Sequence, residues 1–311
     1  MDFQLTPLQV ELRETTRKLC AGRFPVAASR AAGGRIDAAA WDELVGAGVF
    51  ALRLPEERGG LGLGYADAAV VFEELGRGLV PGPLAWSEVT AAWGMAGVVG
   101  GVERTAPALV EHLGDLDTLV VLDDEGAWAV DVGSLDAVEL QPFDPLTPVW
   151  RVATLPRGER VAPSAAARHA RVEGAALVAA QLAGVAGAVC DLTVSYARQR
   201  QQFGRPVGSF QAVKHALADM LVRAELARVQ AYAAAHLDEP GLADVARAVS
   251  SAKVVAADAA RANGTAAIQL HGGMGMTWEV DAHLYLKRAA VLDLAFGTAD
   301  EHALSLADGL G

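Results

Sequence analysis

The chain has 311 residues, enough for one large domain or two ordinary ones with a sizeable core. Its 52% hydrophobic content and 33 glycines exclude a disordered polymer. With 26 Lys plus Arg against 38 Asp plus Glu, the formal net charge of −12 opposes general binding to nucleic acid or anionic membrane, so an anionic ligand needs a local cationic patch.

Taken in order, Thr6-Pro7-Leu8-Gln9 predicts a helix start with a cap, a proline at the first helical position and a capping box. No signal peptide is read ahead of it, and no apolar run looks long and charge-free enough to span a bilayer. Two distant cysteines, Cys20 and Cys190, make neither a disulfide framework nor a zinc spacing, which implies a reducing cytoplasm. Asp37 predicts the cap of a second helix ending at Gly46 or Gly48. Further helices are expected over 66–75 and after Pro83. Residues 54–64, LPEERGGLGLG, lack the spacing of a dinucleotide loop and read as a turn.

From Leu116 to Leu155 the pattern changes to three to five short strands, a small β insert. From Ser164 the chain is alanine-rich and helix-prone. One long helix is expected over 176–198. Ser209 is read as the cap of the next, with Phe210, Val213, Leu217, Met220, Leu221 and Ala224 on one face. Others follow over 242–263, 265–271, 282–292 and 299–306, the last with a capping box at Thr298 and Glu301. Long helices with short connections argue for a C-terminal four-helix bundle.

No zinc pattern links the seven histidines, and no nucleophile elbow or Walker loop is present. His215 and His271 read as packing or surface residues. Two stretches stand out. In 196–220, YARQRQQFGRPVGSFQAVKHALADM, the cations Arg198, Arg200 and Arg205 crowd a turn between helices. They suit either a helix dipole or a phosphate-bearing ligand. In QLHGGMG, 269–275, one glycine would end the helix, and the others would let a ligand approach the backbone.

Together these stretches resemble the acyl-CoA dehydrogenase family: RQQFGRPVGSFQ at 200–211, QLHGGMG at 269–275 and FGT at 296–298, in the family's order and spacing. LTPLQVELRETTRKL and LPEERGGLGLG look like its N-terminal region. The resemblance implies a mainly α protein with a small β insert: an N-terminal helical domain (1–105), a truncated central β domain (106–163) and a C-terminal four-helix bundle (164–311). It also implies FAD as cofactor and oxidation of an acyl-CoA thioester between its α and β carbons, with an electron-transfer flavoprotein or similar acceptor. By the family's pattern Arg200 meets the FAD pyrophosphate of a neighbouring subunit, and Phe203 and Gln211 line the dinucleotide. Gln269, Gly272 and Gly273 hold its adenosine side.

Two departures follow from the same resemblance. The usual catalytic Glu stands where this chain has Phe296, which cannot accept a proton. In other members it lies near the start of the first long C-terminal helix, where ungapped counting gives Gly174. Glu173 is adjacent but rotated by about 100° on a helix. The segment whose backbone cradles the flavin ring has no counterpart between Gly101 and Ala165. Some bacterial members are built from two unlike subunits (α2β2), often acting on bulky steroid-derived CoA thioesters, and this chain resembles their shorter, non-catalytic subunit. The alternatives are a self-sufficient homodimer with a relocated base and a scaffold without cofactor.

Overall fold

The computed structural model describes residues 4–235 and 242–308. The first helices form where local signals require them. Gln9 N donates to the Thr6 hydroxyl at 3.2 Å and Thr6 N donates to the Gln9 side chain at 3.0 Å. Both halves of the capping box therefore open α1 (Pro7–Arg23). After α2 (Val26–Ala31), Asp37 caps α3 (Ala38–Gly46) through Ala40 N at 2.9 Å. Residues 54–64 form the expected turn around a 3₁₀ stretch, Glu56–Arg58. The helices α4 (Tyr65–Arg77) and α5 (Leu84–Ala91) follow.

The β region extends beyond the expected window. β1 (Val99–Glu103) lies in the stretch assigned above to the first helical domain, and β2 (Ala108–Glu111) comes next. Inside 116–155 are β3 (Thr118–Leu122), β4 (Gly126–Val130), β5 (Ala137–Leu140) and β6 (Val149–Val152), as the strand count there predicts. β7 (Glu159–Pro163) completes the set. The strands form two small sheets, β1-β3-β4-β7 and β2-β6-β5, with β1 and β3 parallel and every other pair antiparallel. Gly100 and Gly101 leave β1 with no side chains of its own at two successive positions. Once paired to β3, that strand tolerates them because side chains from elsewhere fill the space.

The C-terminal half contains α6 (Ser164–Gln199), a hairpin of β8 (Gln201–Gln202) and β9 (Arg205–Pro206), α7 (Gln211–Ala235), α8 (Leu242–His271), α9 (Ala282–Leu294) and α10 (Ala299–Asp308). The helices α6 to α9 pack as the bundle, and α10 packs on α8. Several expectations are corrected. Gly264 does not divide α8; a Cβ there would lie 2.9 Å from the Leu286 backbone, so the glycine lets α8 and α9 approach closely. Ser209 is no cap, because it sits in a 3₁₀ turn with its hydroxyl buried and without a partner. Leu221 is exposed, whereas Met220 and Ala224 on the same helix are buried as expected. Finally, α6 is long and apolar enough to cross a membrane by length and composition, contrary to the sequence reading. Yet 78% of that window is buried, so α6 is the central helix of the core.

Two contacts join the parts. A Cβ on Gly184 of α6 would sit 2.0 Å from Glu73 O, so α4 crosses α6 at backbone distance. Arg288 of α9 binds Asp144 at 2.7 Å and donates to Val80 O at 2.9 Å and Leu146 O at 3.2 Å. That one buried guanidinium ties the bundle to both preceding regions.

Candidate functional site

The residues singled out in the sequence fall at two separate places along α6. At its C-terminal end, the β8–β9 hairpin turns through Phe203 (φ 53°) and Gly204 (φ 76°). Two successive left-handed residues make the hairpin turn that normally takes Asn-Gly, so Phe203 holds a conformation costly for a bulky side chain. It is nevertheless 90% exposed, and its ring meets the edge of Phe210 at 6.1 Å between centroids. Arg205 stacks over Phe210 at 4.1 Å. Arg200, which ends α6, is exposed and has no ion pair among the described residues. Gln211 opens α7, also exposed.

The glycine stretch lies at the same end of the bundle. Tyr196 of α6 donates to His271 O at 3.3 Å, and the two rings stack 4.1 Å apart. His271 is buried, with Nδ1 2.7 Å from Ala267 O, which bears out a packing role. Gln269 is exposed and lines a groove of about 860 Å³ between α7 and α8, with Leu226, Val255 and Ala259. Gly272 (φ 62°) and Gly273 are exposed, and a Cβ on either would meet nothing within 4 Å. Only Gly272 is required by its own conformation. Around Gly273 the backbone is bare for anything that approaches from outside. This end therefore offers a guanidinium, a strained exposed aromatic ring, amides and open main chain, which together suit a phosphate-bearing ligand.

Gly174 lies about 39 Å back along α6 at helical rise, and there the geometry is the reverse. Phe296 (φ 56°) follows α9, is buried, and lays its ring on Gly174; a Cβ at that position would come within 2.3 Å of it. The other face of the ring meets Trp86 of α5, 4.1 Å between centroids and tilted 30°. Trp86 in turn occupies space above Gly101 of β1, where a Cβ would be 2.1 Å away. Two glycines thus make room for two aromatic rings. The sequence reading compared Phe296 with Gly174 as alternative positions for one catalytic group; the fold puts them in direct contact.

Residues 6–99 match the acyl-CoA dehydrogenase N-terminal domain and residues 165–311 the acyl-CoA dehydrogenase C-terminal domain. The chain belongs to the acyl-CoA dehydrogenase family. It is 37% identical over 295 residues to the acyl-CoA dehydrogenase IpdE2 of Mycobacterium tuberculosis, covering 89% of each chain. It is 38% identical over 278 residues to FadE34 of the same organism, a match that takes up 79% of this chain but only 38% of FadE34. Among solved structures, the steroid ACAD described as Tcur3481-Tcur3483 superposes with a TM-score of 0.85 at 26% identity over 97% of each chain.

For an acyl-CoA dehydrogenase the remaining question is Glu173. It is buried, and its Oε1 accepts from Arg53 Nη2 at 2.5 Å and lies 2.8 Å from His169 Nε2. Burial pushes its carboxyl up, but the His169 hydrogen bond and the Arg53 charge outweigh this and hold it below its usual range. A carboxylate stabilised in its ionised form and already engaged by two donors is a poor general base. Arg53 also stacks over Tyr65 at 3.6 Å and lies 3.7 Å from Glu88, whose carboxyl burial pushes up to about 7. The sequence reading missed Arg53, Trp86 and Gly101, because their partners are far away in the chain. The one available signal was Glu88, the single charged residue in the otherwise mostly apolar stretch LAWSEVTA, which the structure buries throughout.

Proposed function

We propose that this chain is the non-catalytic subunit of a heteromeric acyl-CoA dehydrogenase, contributing FAD-binding residues to a homologous catalytic partner. The observation that carries this reading is the aromatic packing at Phe296 and Gly174. Both positions at which the family places its base are filled, and Glu173 is committed to Arg53 and His169. The opposite end of α6 keeps Arg200, Phe203, Gln211, Gln269, Gly272 and Gly273 free for a ligand. Those residues fit the pyrophosphate and adenosine side of FAD, through charge-assisted hydrogen bonds and close backbone approach. When bound, FAD supplies the hydride acceptor for the β carbon while a carboxylate takes the α proton. Here that carboxylate belongs to the partner. The work of this chain is to orient the dinucleotide and neutralise its phosphates.

The relatives support a two-unit assembly. FadE34 leaves well over half its length outside the match, space for a second unit of this size, and the steroid ACAD pairs two names. By the same analogy the substrate is a bulky, steroid-like acyl-CoA, and electrons leave through an electron-transfer flavoprotein or similar acceptor. The two buried free cysteines suit a cytoplasmic location.

The test is to purify this chain alone and after co-expression with a full-length dehydrogenase partner. Flavin and acyl-CoA oxidation are expected only in the complex. Yellow, active protein from this chain alone would establish the self-sufficient homodimer instead, and colourless protein in both preparations a scaffold.

A further inference from the structure

Lys253 lies near the middle of α8, its side chain wholly buried beside Val249, Ala256 and Ala260. Its Nζ donates to three backbone carbonyls: Asp293 O at 3.0 Å, Ala295 O at 2.8 Å and Gly297 O at 2.6 Å. An ammonium has three donors, so none is left over. Burial pulls the group down to about 8, with the Asp293 and Glu301 carboxylates opposing that shift. The intervening carbonyl, Phe296 O, lies 3.1 Å from His302 Nε2. A carbonyl only accepts, so Nε2 carries the proton and Nδ1 accepts from the Ser250 hydroxyl at 2.9 Å. Asp293 Oδ1 accepts from Ala299 N at 2.9 Å.

This loop has to be held. Phe296 has a positive φ, which a bulky residue keeps only when its surroundings over-determine it. Lys253 grips the carbonyls on either side of Phe296, and the ring points the other way, between Gly174 and Trp86. We propose that Lys253 is a positioning residue that latches the Phe296 ring into this slot, so that the chain's own reaction position is closed by construction and not only by the lack of a base. Its meaning for catalysis rests on the function proposed above. The latch itself is a property of this chain alone.

The experiment is a set of thermal melts of the isolated chain with and without saturating toluene, an apolar probe the size of the Phe ring. Phe296→Ala should lower Tm by about 10 °C, and toluene should restore about 2–4 °C by entering the dry void. Lys253→Met should also lose stability, and toluene should restore part of it because the released ring vacates the slot. A purely structural lysine would lower Tm without creating a toluene site. The wild type should show no toluene shift. Should Lys253→Met fail to fold, His302→Leu loosens the same loop at Phe296 O and should give a smaller toluene shift. Stabilisation of Phe296→Ala but of neither loop variant would overturn the latch, as would an equal shift in the wild type or no shift in any protein. These melts do not depend on flavin or partner, so failure of the complex to bind FAD would leave them unchanged.

Discussion

At its C-terminal end α6 runs into a hairpin that displays Phe203 at 90% exposure and in a strained conformation, next to Arg200, which makes no ion pair among the described residues. Ten residues into the same helix, Gly174 is sealed under Phe296, itself also at positive φ but 6% exposed. Both aromatic residues carry backbone strain, but only one is compensated within the chain. Phe296 is repaid by Trp86, Gly174 and the carbonyl contacts of its loop. Phe203 gains little contact beyond the edge of Phe210 among the described residues, and under the proposed function its strain is offset by a bound ligand. On that reading, the difference separates a closed site from one kept open for a ligand.

The comparison can be broken most severely at the closed end. Arg288→Met leaves the buried Asp144 with its hydrogen bonds from Leu146 N and Thr147 Oγ1 but without its ion-pair partner, and should cost about 3–5 kcal/mol in denaturant unfolding; a loss below 1 kcal/mol would mean that the three regions do not depend on that contact. Gly174→Ala drives a methyl into the Phe296 ring, with an expected loss of about 1–3 kcal/mol. If Gly174→Ala proved neutral, the slot would be looser than its geometry implies. Glu88 gives a pH-dependent test of the neighbouring ion cluster with Arg53, Glu173, His169 and Tyr65. Its carboxyl sits near 7 when folded against an ordinary value of 4.5, so over that interval only the folded state keeps the proton. Stability from this group is therefore full at low pH and is lost as pH rises to about 7. The Tm advantage of Glu88→Gln over wild type should grow between about pH 4.5 and 7 and then level off; a flat difference would contradict the assignment. The smallest effect belongs to the kept end. Phe203→Asn relieves left-handed strain and should stabilise the isolated chain by about 1 kcal/mol, while the complex retains less flavin. Loss of stability would mean that the exposed ring contributes to the fold.

What could be read in advance was local. The capping boxes at Thr6–Gln9 and Thr298–Glu301 and the Asp37 cap each depend on residues three apart, and all are made. Gly264 was misread because its reason, Leu286, belongs to the next helix. Leu221 follows the apolar period of α7 as well as Met220 does, and periodicity does not distinguish a core face from a face left for a partner. Arg200, Phe203 and the glycine stretch were found through the family's motifs; their exposure and strain came from the fold. The contact between Phe296 and Gly174 was not legible, although both residues had been named, since nothing in their spacing brings them together. Lys253 did leave a trace: at 0% exposure it shares a helical face with Val249, Ala256 and Ala260, where a lysine needs partners.

The central claim is that flavin is held across two chains, with this one supplying Arg200. The most direct measurement is the FAD content of the co-expressed complex carrying Arg200→Ala in this chain and an unaltered partner. Losing a charge-assisted phosphate contact should weaken FAD binding about 10- to 100-fold, so the purified complex should be largely colourless while still assembled. A complex that retains its full flavin would contradict the account.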